Sequence, residues 1–500
     1  MTLSERLKSI MAIDRDAVEV DYRGERITWG AIVQIVEGIE SLLQTGGVGP
    51  AAPIGLLLRN RPEMFAAILA SIANERCIVC VNPMQSDERL AADLESLRVP
   101  ALIATADDWQ SQAACAAASR AGSLAIALDR KAACVARFVP GLEQLADGPH
   151  RAPASGIAVE MLTSGTTGPP KRIGLRADAF QESLLGTSHY EANRPEEPSL
   201  RKSYAIVTGP LVHIGGMFLS VKAAVDGRPL CLLERFIVED WVDAVRRHRP
   251  KVTGLVPSAM KMVLDAGVPA EDLSSLRAVT SGTAPLAPEI QARFEERYRV
   301  PVLITYGATE FAGAVAGWTI GDHREFGERK RGAVGRAHPG CDLRVVDPEN
   351  GEVRGVDTSG LLEVRSEQAP AKGWVRTADQ ARIDADGFIW IEGRADGAIN
   401  RGGFKIDPAT VARALERHPA IREAAVVGVP DERLGEVPVA VYELSEGVDA
   451  PAEDELLEFA REHLTRYFVP TQIRAVDAIP RTPSLKPSLP ALRELFSTVV

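Results

Sequence analysis

Cysteine is scarce in this chain: six residues in 500 (Cys77, Cys80, Cys115, Cys134, Cys231 and Cys341), scattered along its length. A secreted disulfide scaffold is thereby excluded. Cys77 and Cys80 have the spacing of a redox or zinc pair, but they lie in an apolar β-like run with no second CxxC and no histidine pair. They read as buried strand thiols. Basic residues are outnumbered, 57 Lys and Arg against 68 Asp and Glu, for a net charge of −11. Nothing global draws such a chain to nucleic acid or anionic lipid, so any phosphate must be gripped by a local site. No segment reaches the roughly 18 uninterrupted apolar residues that a membrane span needs. Met1–Arg6 has no basic region leading into an apolar stretch. A cytoplasmic location without stable membrane insertion is expected.

What is present is ordinary globular composition, 45% hydrophobic and 25% charged. The length suits about three domains, or one large α/β unit with a smaller module. Ile32, Val33, Ile35, Val36, Ile39, Leu42 and Leu43 recur at helical spacing and stop at Gly46-Gly47. Ile54–Leu58 reads as a buried strand, and Asn60 with Pro62 opens a helix. Cys77–Val81 is the next strand, Ser86–Leu97 the next helix and Ala101–Ala104 another strand. Repeated β-α-β predicts parallel sheet covered by helices. The Ala-rich stretch Ser111–Arg137 reads as helix-strand-helix. From about Arg394 the texture turns to short β runs and two helical patterns, one starting at the cap pair Asp407-Pro408, the other covering Glu453–Leu464. A domain boundary near Arg394–Asp396 and a small α+β lid follow.

The segment Thr163-Ser164-Gly165-Thr166-Thr167-Gly168-Pro169-Pro170-Lys171 combines hydroxyls, glycines and a lysine that can wrap a polyphosphate, without Walker A spacing. Tyr306-Gly307-Ala308-Thr309-Glu310 follows the apolar run Val302–Thr305, so it stands where strand ends present ligand groups. Its tyrosine offers a flat face for a purine, and Glu310 a hard oxygen for Mg²⁺. Asp379 is a plausible bidentate acceptor for two ribose hydroxyls. Lys486 ends a proline-stiffened loop, Pro480–Lys486.

In this order the motifs, spread from about Leu56 to Lys486, resemble the adenylate-forming superfamily, in its acyl-CoA synthetase branch. The resemblance implies a large N-terminal domain, residues 1–394, of two α/β sheet subdomains plus a distorted β-barrel. A small mobile α+β domain, residues 395–500, follows it, with Asp396 as hinge. It implies that the loop from Thr163 to Lys171 (Ser164, Gly165, Thr166, Thr167 and Gly168 between them) holds phosphate. Thr309 and Glu310 would meet the α-phosphate and Mg²⁺, with Thr166 as a further metal ligand. Gly282-Thr283-Ala284-Pro285, Tyr306 and Gly307 would enclose adenine, while Asp379 and Arg394 hold the ribose. Lys486 would serve adenylation, and Gly402-Gly403-Phe404-Lys405 would approach CoA. His213 would lie by the reacting carboxylate, with Ile214, Gly215, Gly216, Gly307 and Ala308 lining the acyl pocket. ATP or a supplied acyl-AMP, Mg²⁺ and CoA are the expected ligands, with no nucleic acid and with a homodimer compatible. The small residues of that pocket favour a bulky, cyclic or aryl acid.

Other readings are separable. A free-standing carrier protein could replace CoA, although no carrier domain follows Lys486. A nucleotide-binding sensor without turnover would release no pyrophosphate. Ser258-Ala-Met-Lys261 matches the SxxK of penicillin-recognising acylases, but no KTG accompanies it. The run Arg329-Lys330-Arg331 reads as a solvated loop. Three positions depart from the superfamily pattern: Arg172, Ala378 and Leu485 stand where glycine is usual. Leucine before Lys486 denies the backbone conformations open to glycine, and Arg172 flanks the phosphate loop. Slow adenylation relative to thioester formation is expected.

Overall fold

A seven-stranded sheet anchors the N-terminal half of the computed structural model. The structure describes every residue except 149, 153–154, 164–170, 186–196, 370–372, 395–397, 446, 481–486, 488 and 497–500; of Leu162, Thr163, Lys171, Arg394 and Pro490 it describes the backbone alone. The strand order is Ala136–Phe138, Leu124–Leu128, Ala101–Thr105, Ile54–Leu57, Ile78–Val81, Ile157–Thr163 and Lys171–Arg176. The inner pairs are parallel and the two outer ones antiparallel. Ile54–Leu57 and Ile78–Val81 are buried at every position, as strands covered on both faces must be.

The covering helices start where the sequence signals do. Thr28 caps Trp29–Thr45, accepting the Ala31 N–H, and Gly46 ends it. Pro62 occupies the first turn of Pro62–Ala73, whose residues are all buried. The Ala-rich stretch corrects the expectation in part. Helix Gln112–Arg120 and strand Leu124–Leu128 form, but the second helix is replaced by Ala136–Phe138, paired antiparallel to Leu124–Leu128. Edge pairing outweighs the helical propensity of the alanines there.

A second sheet runs Val252–Gly254, Ala278–Ser281, Val302–Ala308, Gly313–Gly317 and Arg336–Ala337, parallel over its first three strands and antiparallel beyond. An antiparallel sheet, Cys341–Val346, Gly360–Ser366, Val375–Ile383 and Ile389–Arg394, adds the barrel-like part. The small C-terminal domain has its own core, where Ile399, Ile406, Val411, Leu415, Tyr442 and Leu456 are buried together. The Asp407 carboxylate caps helix Pro408–Leu415 by accepting the Ala409 and Thr410 N–H groups, both at 3.1 Å.

Cys77 and Cys80 are buried free thiols. Burial pushes Cys77 up to about 12 and Cys80 further still, so neither offers a thiolate. Lys261, of the SxxK match, lies on helix Pro257–Asp265 and pairs with Asp265 at 3.1 Å. The basic run is not merely solvated: Lys330 holds Asp384 and Asp386, and Arg331 meets Glu295 at 3.2 Å. Among the described residues no helix is long and apolar enough to cross a membrane.

Candidate active site

Strand ends and turns carry several of the motifs. Thr163 closes one strand of an antiparallel hairpin and Lys171 opens the other, with their backbones paired. Ser164, Gly165, Thr166, Thr167 and Gly168 lie outside the described residues, as do Asp396, Leu485 and Lys486. Strand Lys171–Arg176 rests on the turn Thr309–Phe311, which carries Thr309 and Glu310. The base of the phosphate hairpin and the expected Mg²⁺ ligand therefore share one wall. Arg172 is bonded within the large domain. Its Nη1 donates to the Cys80 carbonyl at 2.8 Å and its Nη2 to Asp93 Oδ1 at 2.7 Å, tying the hairpin to the adjoining strand and to helix Asp87–Leu97.

Among the residues expected to hold the nucleotide, the Tyr306 hydroxyl donates to Asp379 Oδ2 at 2.6 Å, joining the second sheet to the barrel-like one. Asp379 is buried at 8% exposure and lies opposite Arg394 in the strand pairing. Its own N–H donates to Thr377 Oγ1 at 3.1 Å. Ala378 is not among the residues with positive φ, so losing the usual glycine costs little there. After strand Ala278–Ser281 comes Gly282, where a Cβ would stand 2.7 Å from Thr305 Oγ1; Thr283 follows at φ +69°. Ala284 and Pro285 continue this turn. Tyr306→Phe removes one hydrogen bond, worth about 1.5–3 kcal/mol when it involves a charged group. A rise of roughly 10- to 150-fold in the KM for ATP is the corresponding outcome, and steady-state kinetics at saturating acid would measure it.

Among the residues expected at the acyl site, His213 occupies the cap position of helix Ile214–Val225. Its loop is held by Asn60, which the sequence marks only as part of a helix start: the amide donates to the Gly209 and Leu233 carbonyls, both at 3.0 Å, and accepts the Leu211 N–H at 2.8 Å. Desolvation pulls the His213 pKa down from 6.5 to about 4, so the imidazole is neutral at pH 7. The unfolded chain binds that proton more readily, and stability accordingly falls as pH drops from 6.5 toward 4. Thermal melts should show the wild type losing midpoint between pH 7 and 5 more steeply than His213→Gln. Identical slopes would mean a solvated imidazole.

The glycines require a correction. At Gly307 a Cβ would stand 2.2 Å from the Gly313 carbonyl oxygen, and at Gly216 it would stand 2.2 Å from that of Pro210. Their smallness answers backbone close approach, so it is no evidence for a roomy pocket. Gly215 alone of the three meets nothing within 4 Å. Ile214 and Ala308 are half-buried.

The small domain meets the large one at Thr283 and His213. Gly402 (φ +56°) and Gly403 (φ +91°) form the turn between strands Ile399–Arg401 and Phe404–Ile406. A Cβ on Gly403 would lie 2.9 Å from Thr283 Oγ1, and Phe404 meets His213 edge-on at 5.0 Å. Tyr467, also missed from sequence, stacks on Phe404 at 4.1 Å. Arg401 braces the turn by donating to the Tyr467 and Val469 carbonyls, both at 2.9 Å. Lys405 is half-buried on the second strand of that hairpin.

Comparison with known proteins bears on the family of the chain. The profile described as AMP-binding enzyme matches residues 10–374, and AMP-binding enzyme C-terminal domain matches 410–486. Indoleacetate–CoA ligase of Aromatoleum aromaticum is 28% identical over 96% of both chains. Amide bond synthetase McbA from Marinactinospora thermotolerans is 27% identical and superposes with TM-score 0.84 over 99% of this chain and 100% of that one. o-Succinylbenzoate CoA synthetase (MenE) from Bacillus subtilis, 23% identical, superposes over 98% of both chains at 0.81 as a double mutant bound with its product analogue OSB-NCoA. Its complex with the acyl-adenylate intermediate gives 0.65 over 99% of this chain and 98% of that one. With both domain profiles matched in order and CoA ligases among its relatives, the chain belongs to the AMP-binding enzymes, the adenylate-forming superfamily, in its acyl-CoA ligase branch.

Proposed function

We propose that the chain activates a bulky, cyclic or aryl carboxylic acid as its acyl-adenylate and passes the acyl group to the thiol of CoA. The observations that carry this reading are the Tyr306–Asp379 bond and a turn, Gly402–Phe404, that meets Thr283 and His213. The first contact organises a nucleotide site; the second brings the small domain where an acceptor must arrive. The acid class is supported by the names of relatives, indoleacetate and o-succinylbenzoate ligases, since the glycines do not support it.

Asp379 and Arg394 would hold the ribose, and Tyr306 with Gly282, Thr283, Ala284, Pro285 and Gly307 the adenine. The residues from Thr163 to Lys171 would receive the phosphates. The Glu310 carboxylate is half-exposed and has no ion pair or hydrogen bond with a described residue. Such a hard oxygen fits Mg²⁺, with Thr166 as a second ligand. The bound cation would offset the charge of the phosphoryl oxygens. Lys486 would neutralise the meeting of carboxylate and α-phosphate. His213, neutral, would orient the acyl carbonyl by hydrogen bonding. We take the domain boundary at 394/395, with Asp396 as hinge, because one site must then serve two geometries.

Adenylation would be the slower half. The Arg172 tether to Cys80 and Asp93 supports a phosphate loop with a stiffened base, and Leu485 narrows the backbone freedom beside Lys486. Supplying synthetic acyl-adenylate with CoA should then outpace ATP with free acid, and equal rates would refute it. The reading as a whole is tested by incubating a panel of aryl, cyclic and short-chain acids with ATP, Mg²⁺ and CoA, and weighing the products by mass spectrometry. CoA thioesters of aryl acids with AMP are the expected products. Because McbA is named an amide bond synthetase, an amine belongs in the panel; amide in place of thioester would reassign the acceptor.

A further inference from the structure

A cavity of about 520 Å³ opens at the carboxyl ends of the seven-stranded sheet, and none of its lining residues belongs to the motifs placed above. Arg61 and Glu63 follow strand Ile54–Leu57, Asp107 follows Ala101–Thr105, and Arg130 follows Leu124–Leu128. Arg23, in the turn between Val18–Tyr22 and Glu25–Thr28, closes another side. From Ile54–Leu57 the chain goes to Ile78–Val81 on one flank, and it then returns to Ala101–Thr105 on the other. The connections diverge there, and the crevice outside the strand ends at such a point is where open α/β sheets receive ligands. The phosphate hairpin opens from Ile157–Thr163, on the far side of Ile78–Val81.

Two side chains in the cavity wall lack the partners their chemistry asks for. Glu63 is 7% exposed. Apart from its own N–H, its carboxyl meets no hydrogen-bond or ion-pair partner among the described residues, and burial raises its pKa. Arg61 approaches Glu234 at 3.3 Å and Asp107 at 3.9 Å, but its guanidinium makes no hydrogen bond with a described residue. Glu234 is shared with the Tyr22 hydroxyl and with Arg23. A buried carboxyl and a guanidinium left without hydrogen bonds both cost free energy until something pairs them.

We propose that this cavity binds a small zwitterion of the α-amino acid class, its carboxylate on Arg61 and its ammonium on Glu63. An ammonium brings three donors to a carboxylate, and a carboxylate accepts two parallel bonds from a guanidinium. Four acidic and four basic side chains line the cavity, so it suits a ligand of no net charge better than a polyanion such as a nucleotide. The volume falls within the range of roughly 300–1,000 Å³ usual for small-molecule sites. This site goes beyond the acyl-CoA ligase reading and does not depend on it.

The test is calorimetric titration of the full chain with each standard amino acid in turn. At least one should bind with a Kd below about 1 mM, and saturating the protein beforehand with an acyl-sulfamoyl adenosine should leave that Kd within about twofold. The Kd should rise at least tenfold in Arg61→Gln and in Glu63→Gln, which keeps the side-chain shape and removes the buried acid; the Glu63 variant decides the matter if the Arg61 variant does not fold. The decarboxylated amine and the α-hydroxy acid of the same compound should each bind the wild type at least tenfold more weakly than the amino acid. Failure of every amino acid to bind, an unchanged Kd in either folded variant, displacement by the adenosine analogue, or an amine that binds as tightly as its amino acid would overturn the proposal and leave the ligase reading intact.

Discussion

Lys486→Ala is expected to lower ATP-dependent adenylation by about 100- to 1,000-fold, the range for removing one preorganised charge from a reacting centre. Transfer from a supplied acyl-adenylate to CoA should stay within about threefold. The asymmetry follows from the chemistry: a carboxylate attacking an α-phosphate brings two anions together, whereas a thiol attacking an acyl-adenylate does not. Acid-dependent exchange of pyrophosphate into ATP reads the first half-reaction, and AMP release from synthetic acyl-adenylate reads the second. Equal losses in both would make Lys486 a residue of general stability.

Gly403→Ala should produce the opposite pattern. Gly403 sits at φ +91°, where an L side chain is strained, and its Cβ would stand 2.9 Å from Thr283 Oγ1. Strain of this kind costs of order 1–3 kcal/mol, and the contact with Thr283 exists only with the small domain docked. Acyl transfer to CoA should therefore fall about 10- to 100-fold, with pyrophosphate exchange within about twofold. Thr283→Gly in the same chain removes the obstructing hydroxyl and should return part of the lost transfer rate, a coupling that a double-mutant cycle measures. Additive losses would place the effect in the turn itself. The two substitutions together ask whether one cleft serves two steps through two different faces of the small domain.

Much of this arrangement is legible in the chain before any coordinates. The buried strands Ile54–Leu57 and Ile78–Val81, the Asp407-Pro408 helix start and the strand-end position of Tyr306–Glu310 follow from local pattern, because periodicity, caps and turn residues act over a few positions. The half-helix lost at Ala136–Phe138 shows where local propensity gives way to edge pairing. What stays hidden is long-range. Arg172 finds Asp93 79 residues away and Cys80 92 residues away, and Asn60 reaches the His213 loop across 151. No pattern in one sequence announces such partners. Gly307 and Gly216 teach the converse: small residues in a motif suggest space for a ligand, yet here the space is filled by backbone. Tyr467 carries no motif at all, and its meaning comes from the ring it stacks on.

The central claim is that separate segments build a single acyl-adenylate site beneath the docked small domain. A crystal structure with a non-hydrolysable acyl-sulfamoyl adenosine tests it most directly. The ribose hydroxyls should lie within hydrogen-bonding distance of the Asp379 carboxylate, the adenine against Tyr306 and the Gly282–Pro285 turn, and the acyl carbonyl beside His213. An analogue bound elsewhere, with the Tyr306–Asp379 pair facing empty solvent, would contradict the account.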